Sequence, residues 1–257
     1  SLAASHHLGR TRLTMPTPQL PFLLLSTRPE REAVTAEYHS FRTIMDLSPE
    51  ELVQIRVNET SLPDIDFSDY SGVILGPFNA SDEDKSDNQR RVESELIALI
   101  RRIIDQDFPL FATCYGIGLV ALALDAPLSR TYNETPSCIT VFVTDEAKDD
   151  PLFAGMPDSF STLVGHVEAA DAVPDGAVVR GQACPIQMYR LNNNVYVTQF
   201  HPELEPETFA QRLRIYRDNG YYDPSEYHRI ADEAFRADLT VDNLLLQNFR
   251  SRYQRAS

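Results

Sequence analysis

The stretch at residues 109–121, P-L-F-A-T-C-Y-G-I-G-L-V-A, decides how the chain is read. Leu110, Phe111 and Ala112 run into Cys114, Gly116 and Gly118 follow at once, and residues 119–124 are an unbroken apolar run. The pattern predicts a short buried strand, a sharp bend carrying a thiol, and a buried helix. That is the layout of a nucleophile elbow, in which a strained turn presents a side chain at a helix N-terminus. The helix start supplies backbone N–H groups and positive potential, which suit a negatively charged sulfur. A structural cysteine beside a flexible turn has the same composition. What separates the two readings lies far down the chain.

Upstream, 21–27 is an apolar run closed by polar residues and Pro29, the pattern of a buried first strand. Val34, Tyr38, Phe41 and Met45 recur at helical steps, predicting a helix over 30–45. Residues 52–57 and 70–75 predict two further strands, the latter running into Gly76-Pro77-Phe78. Over 89–105, Val92, Leu96, Leu99, Ile100, Ile103 and Ile104 make one helical stripe. Strands alternating with helices predict a parallel sheet covered on both faces. From 137 the character changes. Segments 137–144, 160–166, 177–180, 186–191 and 194–199 read as strands without helices between them. Asn192-Asn193-Asn194 is a hairpin signal, so an antiparallel portion joins the sheet. After Pro206, three apolar stripes predict helices: Phe209, Leu213 and Tyr216; Tyr227, Ile230, Ala231 and Ala234; Leu244, Leu245, Phe249 and Tyr253. The expected organisation is a flexible N-terminal extension over 1–20, an α/β domain over 21–205, and a helical cap over 206–257 packed on the same domain.

A net charge of −15 argues against nucleic acid and against an anionic membrane surface as partners. No apolar run reaches the ~20 residues of a membrane span. Cys114, Cys138 and Cys184 form an odd, widely spaced set, a poor disulfide framework, which fits a reducing cytoplasmic setting. Cys138 and Cys184 read as inert core. There is no C-x-x-C pair, no zinc-ligand spacing, no phosphate-binding glycine loop and no dinucleotide fingerprint, so neither a metal nor a cofactor is expected. Asp145, Glu146, Asp149 and Asp150 read as a solvated acidic loop.

The second informative stretch is 195–203, V-Y-V-T-Q-F-H-P-E. On extended chain the side chains of His201 and Glu203 point the same way, and Pro202 holds His201 near the extended region. A carboxylate beside an imidazole accepts one ring N–H and leaves the other nitrogen as a base. A cysteine elsewhere completes a Cys-His-Glu relay. Here the acid follows the histidine by two residues, which an α/β-hydrolase would not show.

Together, T-C-Y-G with a following glycine and Q-F-H-P-E resemble a class I glutamine amidotransferase, most strongly stand-alone proteins related to the amidotransferase domain of GMP synthase. D-P-L-F-A-G-M-P at 150–157 and L-V-G-H-V-E-A at 163–169 add to the likeness, which covers roughly 22–205. The resemblance implies a three-layer, flavodoxin-like α/β fold, its central sheet mostly parallel, with an antiparallel portion and a helical C-terminal extension. It implies Cys114 as nucleophile, His201 as general base and acid, and Glu203 as its orienting partner. Glutamine would pass through a γ-glutamyl thioester, releasing ammonia and then glutamate. The oxyanion would be held by backbone N–H groups of Tyr115 and of Gly76 or Phe78. Val164, Gly165 and His166 match the strand that holds the glutamine α-groups. Three departures accompany the likeness. Ala112 replaces the usual glycine, Gly118 replaces a glutamine that contacts substrate, and Gly76-Pro77 replaces a glycine pair. The implied partners are glutamine or a γ-glutamyl compound, and a synthetase that accepts the ammonia. The alternatives are a γ-glutamyl peptide hydrolase and a catalytically silent regulatory or binding homologue.

Overall fold

The first strand, β1 (Phe22–Ser26), is buried along its whole length because it is paired on both sides and covered on both faces. The computed structural model describes residues 17–76, 86–114, 116–126, 128–170 and 177–257. In chain order the elements after β1 are α1 (Arg31–Met45), β2 (Leu52–Arg56), β3 (Gly72–Leu75), α2 (Asp87–Gln106), β4 (Leu110–Thr113) and α3 (Gly116–Ala123). There follow β5 (Leu128–Ser129), β6 (Glu134–Val143), β7 (Ser159–His166), β8 (Ala169–Ala170), β9 (Ala177–Arg180), β10 (Ile186–Leu191) and β11 (Val195–Thr198). The chain closes with α4 (Pro206–Ile215), α5 (Tyr227–Arg236) and α6 (Asn243–Tyr253).

Nine strands form one sheet in the order β2-β1-β3-β4-β11-β10-β9-β6-β7. Neighbours from β2 to β11 are parallel and those from β11 to β7 antiparallel, the mixed sheet the sequence predicts. The pair β5-β8, two residues each, is too short to leave a periodic signal. The stripe of α2 is buried on one core cluster with Leu23, Val73, Leu110 and Val197. On a second cluster, Phe249 of α6 packs against Phe22 and Phe111, with ring centroids 5.7 and 5.6 Å away. Leu244 is only half-buried, and Leu246 takes the core place beside Leu245. Residues at the end of the N-terminal extension are tied down. Gln19 bridges to Ala256, and Leu20 N–H donates to Arg255 O at 2.8 Å. Residues 1–16 of that extension lie outside the described residues.

One deviation from a flat sheet matters for function. β6 is ten residues long, yet only Phe142 and Val143 pair with β9. The rest of β6 leaves the sheet with β7 as a hairpin, with a register shift between Glu134 and Ser137. The end of β7 therefore returns over the carboxyl edge of β4 and β11, where His201 N–H donates to Leu163 O at 2.8 Å.

Helices α1 and α2 both end on an aspartate in the left-handed region, Asp46 (φ 51) and Asp107 (φ 48). Each occupies the seat usually given to glycine in a Schellman cap: Leu47 N–H bonds Arg42 O, and Phe108 N–H bonds Ile103 O. The two are not equivalent. The Asp107 carboxylate accepts the backbone N–H groups of Asn193 and Asn194, and so stitches α2 to the β10–β11 hairpin. Asp46 points to solvent, within 3.8 Å of Arg250. Asp46→Gly is expected to raise unfolding free energy in urea by about 0.5–1 kcal/mol through relief of left-handed strain. Asp107→Gly is expected to lower it, since two hydrogen bonds go with the side chain; a gain there would contradict the assignment.

Candidate active site

Parallel register places the candidate residues at one sheet edge. Thr113 of β4 lies opposite Thr198 of β11, so Cys114 and the turn leading to His201 leave the sheet side by side. Cys114 has φ 52, a left-handed conformation that a cysteine adopts only when its surroundings enforce it. This is the strained strand-to-helix bend predicted from the glycine-flanked cysteine. Helix α3 begins two residues later, with its N-terminus toward the thiol.

His201 is 2% exposed and Glu203 fully buried. His201 Nδ1 lies 2.7 Å from Glu203 Oε1, the contact the sequence predicts, but the chain at 202–203 is a turn, Leu204 N–H donating to His201 O at 3.4 Å, and not the extended segment expected. With Nδ1–H committed to the carboxylate, Nε2 is the nitrogen left for Cys114, whose side chain is within hydrogen-bonding reach of the ring. Burial pulls the His201 imidazolium down. The negative charges of Cys114 and Glu203, with their hydrogen bonds, outweigh it and push the group up to about 9. Burial works against the Glu203 carboxylate as well, but His201 and Arg212 hold it below the usual range. Cys114 is itself 6% exposed, and its Sγ–H points to Gly165 O at 3.6 Å.

Behind the pair lies a set of charges that sequence reading missed. The Arg212 guanidinium lies 3.7 Å from Glu203 Oε1 and 3.3 Å from His201 Nδ1. Since that nitrogen carries the proton given to Glu203, the closer approach is packing against the pair, not a hydrogen bond. Arg28 donates to Tyr216 OH at 2.7 Å, and Tyr216 OH donates to Glu30 at 2.8 Å. Glu37 of α1 is fully buried; burial pushes its carboxyl up to about 7 although Arg28 and Arg212 pull it down. The signal was present: Glu37 falls on the Val34–Phe41 stripe and Arg212 beside Phe209 and Leu213, so both are charges on apolar faces. From the cap, Tyr221 OH donates to Gly165 O at 2.8 Å, and Asn243 Nδ2 donates to Pro202 O at 2.8 Å.

The other predicted residues fall as follows. Gly118 is buried inside α3, and Val164 and Gly165 lie on β7. The Gly165 carbonyl faces Cys114, yet Tyr221 already donates to it. His166 has both ring nitrogens engaged, Nδ1 by Glu168 O at 3.0 Å and Nε2 by Glu134 Oε1 at 2.8 Å. Gly76 corrects the oxyanion expectation: its N–H donates to Leu25 O at 3.1 Å, continuing the β1–β3 ladder, and is not free for an oxyanion. Its lack of a side chain serves Glu37, because a Cβ there would stand 1.7 Å from Glu37 Oε1. Phe78 and Tyr115, the other oxyanion candidates, lie outside the described residues. The acidic loop reading also needs correction at Asp150, which is buried and bonded to Arg190 and Tyr196 OH, each at 2.8 Å. Tyr216 and Tyr222 are buried. Among the described residues, no helix is long and apolar enough to cross a membrane.

Comparison with known proteins gives a family and a fold. The glutamine amidotransferase class-I family model matches residues 38–215, more than half of the chain. The glutamine-hydrolysing GMP synthase of Streptomyces avermitilis is 28% identical over 132 residues, covering 48% of this chain and 24% of the relative. The chain thus spans about a quarter of the length of that relative. Among solved structures, a glutamine amidotransferase of Thermotoga maritima superposes with a TM-score of 0.73 at 18% identity, over 91% of this chain and 98% of that one. A glutamine amidotransferase of Methylobacillus flagellatus gives 0.68 at 17% identity, over 93% and 96%. At these identities the structures speak for the fold.

The raised His201 group has a thermodynamic consequence. A histidine held above its ordinary value of 6.5 contributes stability that is complete below that value and lost as pH rises through about 9. The difference in unfolding free energy between the native chain and His201→Gln is therefore expected to shrink by up to ~3 kcal/mol over that window. Urea unfolding at a series of pH values checks this, and a difference that stays flat would contradict the charged pair.

Proposed function

The chain belongs to the class I glutamine amidotransferase family, and on that premise we propose that it is a cysteine amidohydrolase that releases ammonia and glutamate from glutamine. The observation that carries the reading is the convergence of Cys114, His201 and Glu203, each buried, at the carboxyl edge of the sheet. In the proposed sequence the Cys114 proton already sits on His201 Nε2, and the sulfur anion attacks the side-chain amide carbon. The proton passes to the departing nitrogen, ammonia leaves, and a γ-glutamyl thioester remains. Water, deprotonated by the same nitrogen, then attacks the thioester; glutamate departs and the sulfur leaves as the anion beside the reprotonated imidazole. Glu203 keeps the imidazole in the required tautomer and stabilises its charged form.

The oxyanion is assigned to the backbone N–H of Tyr115 with that of Phe78 as a second donor, since the Gly76 N–H is spent. Each such donor is worth ~3 kcal/mol in the transition state. Gly118, Val164, Gly165 and His166 are assigned to the glutamine subsite, with main-chain groups of 164–166 addressing the α-groups. For Gly165 this requires Tyr221 to yield the carbonyl. The ammonia is destined for a synthetase partner, in keeping with GMP synthase-like relatives, and the protein is placed in the cytoplasm. A second reading, a γ-glutamyl peptide hydrolase, is favoured by Gly118, where the family's substrate-contacting side chain is missing.

Glutamate release from glutamine and from γ-glutamyl peptides, with and without cell extract, tests both. Cys114→Ala is expected to lower the rate at least about a thousandfold. Turnover equal to that of the native chain would end the proposal. A preference for peptides selects the second reading, and activity only with extract identifies a partner that switches the site on.

A further inference from the structure

A second cluster of chemistry-bearing side chains lies where the β6–β7 hairpin folds back; the reaction above draws on the main chain of one member, His166, but on none of these side chains. Glu134 opens β6, His166 closes β7, and Cys184 precedes β10, which contributes Gln187. All four are buried, Cys184 and Gln187 completely. One ligand atom each from Glu134, His166 and Cys184 lie within 4.8 Å of one another.

The hydrogen bonds leave a specific deficit. His166 Nδ1 is 3.0 Å from Glu168 O, an acceptor only, so Nδ1 must carry a proton. In a neutral imidazole Nε2 then offers a lone pair, and it faces the Glu134 oxygen at 2.8 Å. Two electron-rich atoms at that separation require a positive centre between them. Gln187 shows the same deficit: Nε2 donates to Glu134 Oε1 at 2.8 Å and to Cys184 O at 3.4 Å, while the amide oxygen, fully buried, has no hydrogen-bond partner. A buried amide oxygen without a donor is costly. A backbone carbonyl on the distal nitrogen is the usual support of a metal-bound histidine.

We infer that Glu134, His166 and Cys184 form a binding site for one zinc-class divalent cation, with Gln187 completing it through its amide oxygen. Nitrogen, sulfur and carboxylate donors together select zinc over calcium or magnesium. Tetrahedral bonds of ordinary zinc length set donors about 3.3–3.8 Å apart. The His166–Glu134 pair would open by about half an ångström, and Cys184 would close by at most about one. A half-turn of the Gln187 amide exchanges its nitrogen for its oxygen at the position nearest Glu134. A surface groove lined by Glu134, Thr140, Gln182 and Ala183 offers an entry path. The inference does not depend on the reaction proposed above, although His166 adjoins Gly165 and a bound ion would stiffen the strand facing Cys114.

Cobalt(II) serves as the probe, added to the full chain carrying Cys114→Ser so that the other cysteine–histidine pair cannot supply the signal. One equivalent is expected to give tetrahedral d–d bands and a sulfur-to-cobalt band in the near ultraviolet, both bleached by zinc. Cys184→Ser in that background should remove the sulfur band and weaken zinc at least ~100-fold, and the near-isosteric Glu134→Gln at least ~10-fold. Zinc should also raise Tm in Cys114→Ser, a readout that needs no second variant. No band and no Tm shift in the Cys114→Ser chain would overturn the inference and leave a proton as the bridging charge. A sulfur band that survives Cys184→Ser would overturn it equally.

Discussion

The buried carboxylate of Glu203 is the constraint around which this molecule is arranged. Removing such a charge from water costs several kcal/mol unless partners replace the lost hydration. His201 and Arg212 supply that replacement at Oε1, but Arg212 is buried too and needs compensation in its turn. Glu37 and Glu203 provide it, with Arg28 and Tyr216 joining the same interior network. The network draws on α1, the turn after β1, the turn after β11 and α4. The helical cap is therefore part of the site: it contributes Arg212, Tyr216 and Tyr221 to the network, and Asn243 holds the His-Pro-Glu turn through the Pro202 carbonyl. A cap that merely covered the sheet would not need a buried guanidinium.

Much of this was legible in the residues. Continuous apolar runs marked the central strands because burial on both faces abolishes alternation. The glycine-flanked Cys114 marked a strained bend, since few sequences tolerate a left-handed residue between a buried strand and a buried helix. The contact of His201 with Glu203 was legible from their spacing, but it is made across a turn at 202–203 and not on extended chain. What was not legible has a common physical cause. Periodicity reports which face of an element is buried, and carries no information about where a strand end bends. The return of β7 over the sheet edge depends on β6 leaving β9 after two paired residues. That bend brings Gly165 to Cys114 and His166 to Glu134 and Cys184. The last three are spread over fifty residues without any recognisable ligand spacing. The Gly76 expectation came from the resemblance alone; its N–H is taken by Leu25 O, and the close approach of Glu37 is what requires a glycine there.

Gly165 joins the two clusters. Its carbonyl receives Cys114 and Tyr221, while the next side chain reaches into the Glu134 and Cys184 group. A Cβ at this position would stand 2.2 Å from Tyr221 OH, so the strand, the cap and the elbow meet at a point with no spare volume. Such close packing transmits displacement, because well-packed interiors do not deform continuously.

Everything turns on whether the Cys114 sulfur is a nucleophile held next to an imidazole or an inert thiol in a closed core. Incubation of the chain with a diazo-ketone analogue of glutamine, followed by peptide mass spectrometry, separates these directly. The geometry predicts one adduct per chain, confined to Cys114 and lost in His201→Gln, with Cys138 and Cys184 unmodified. An unlabelled Cys114, or labelling that ignores the loss of His201, would contradict it.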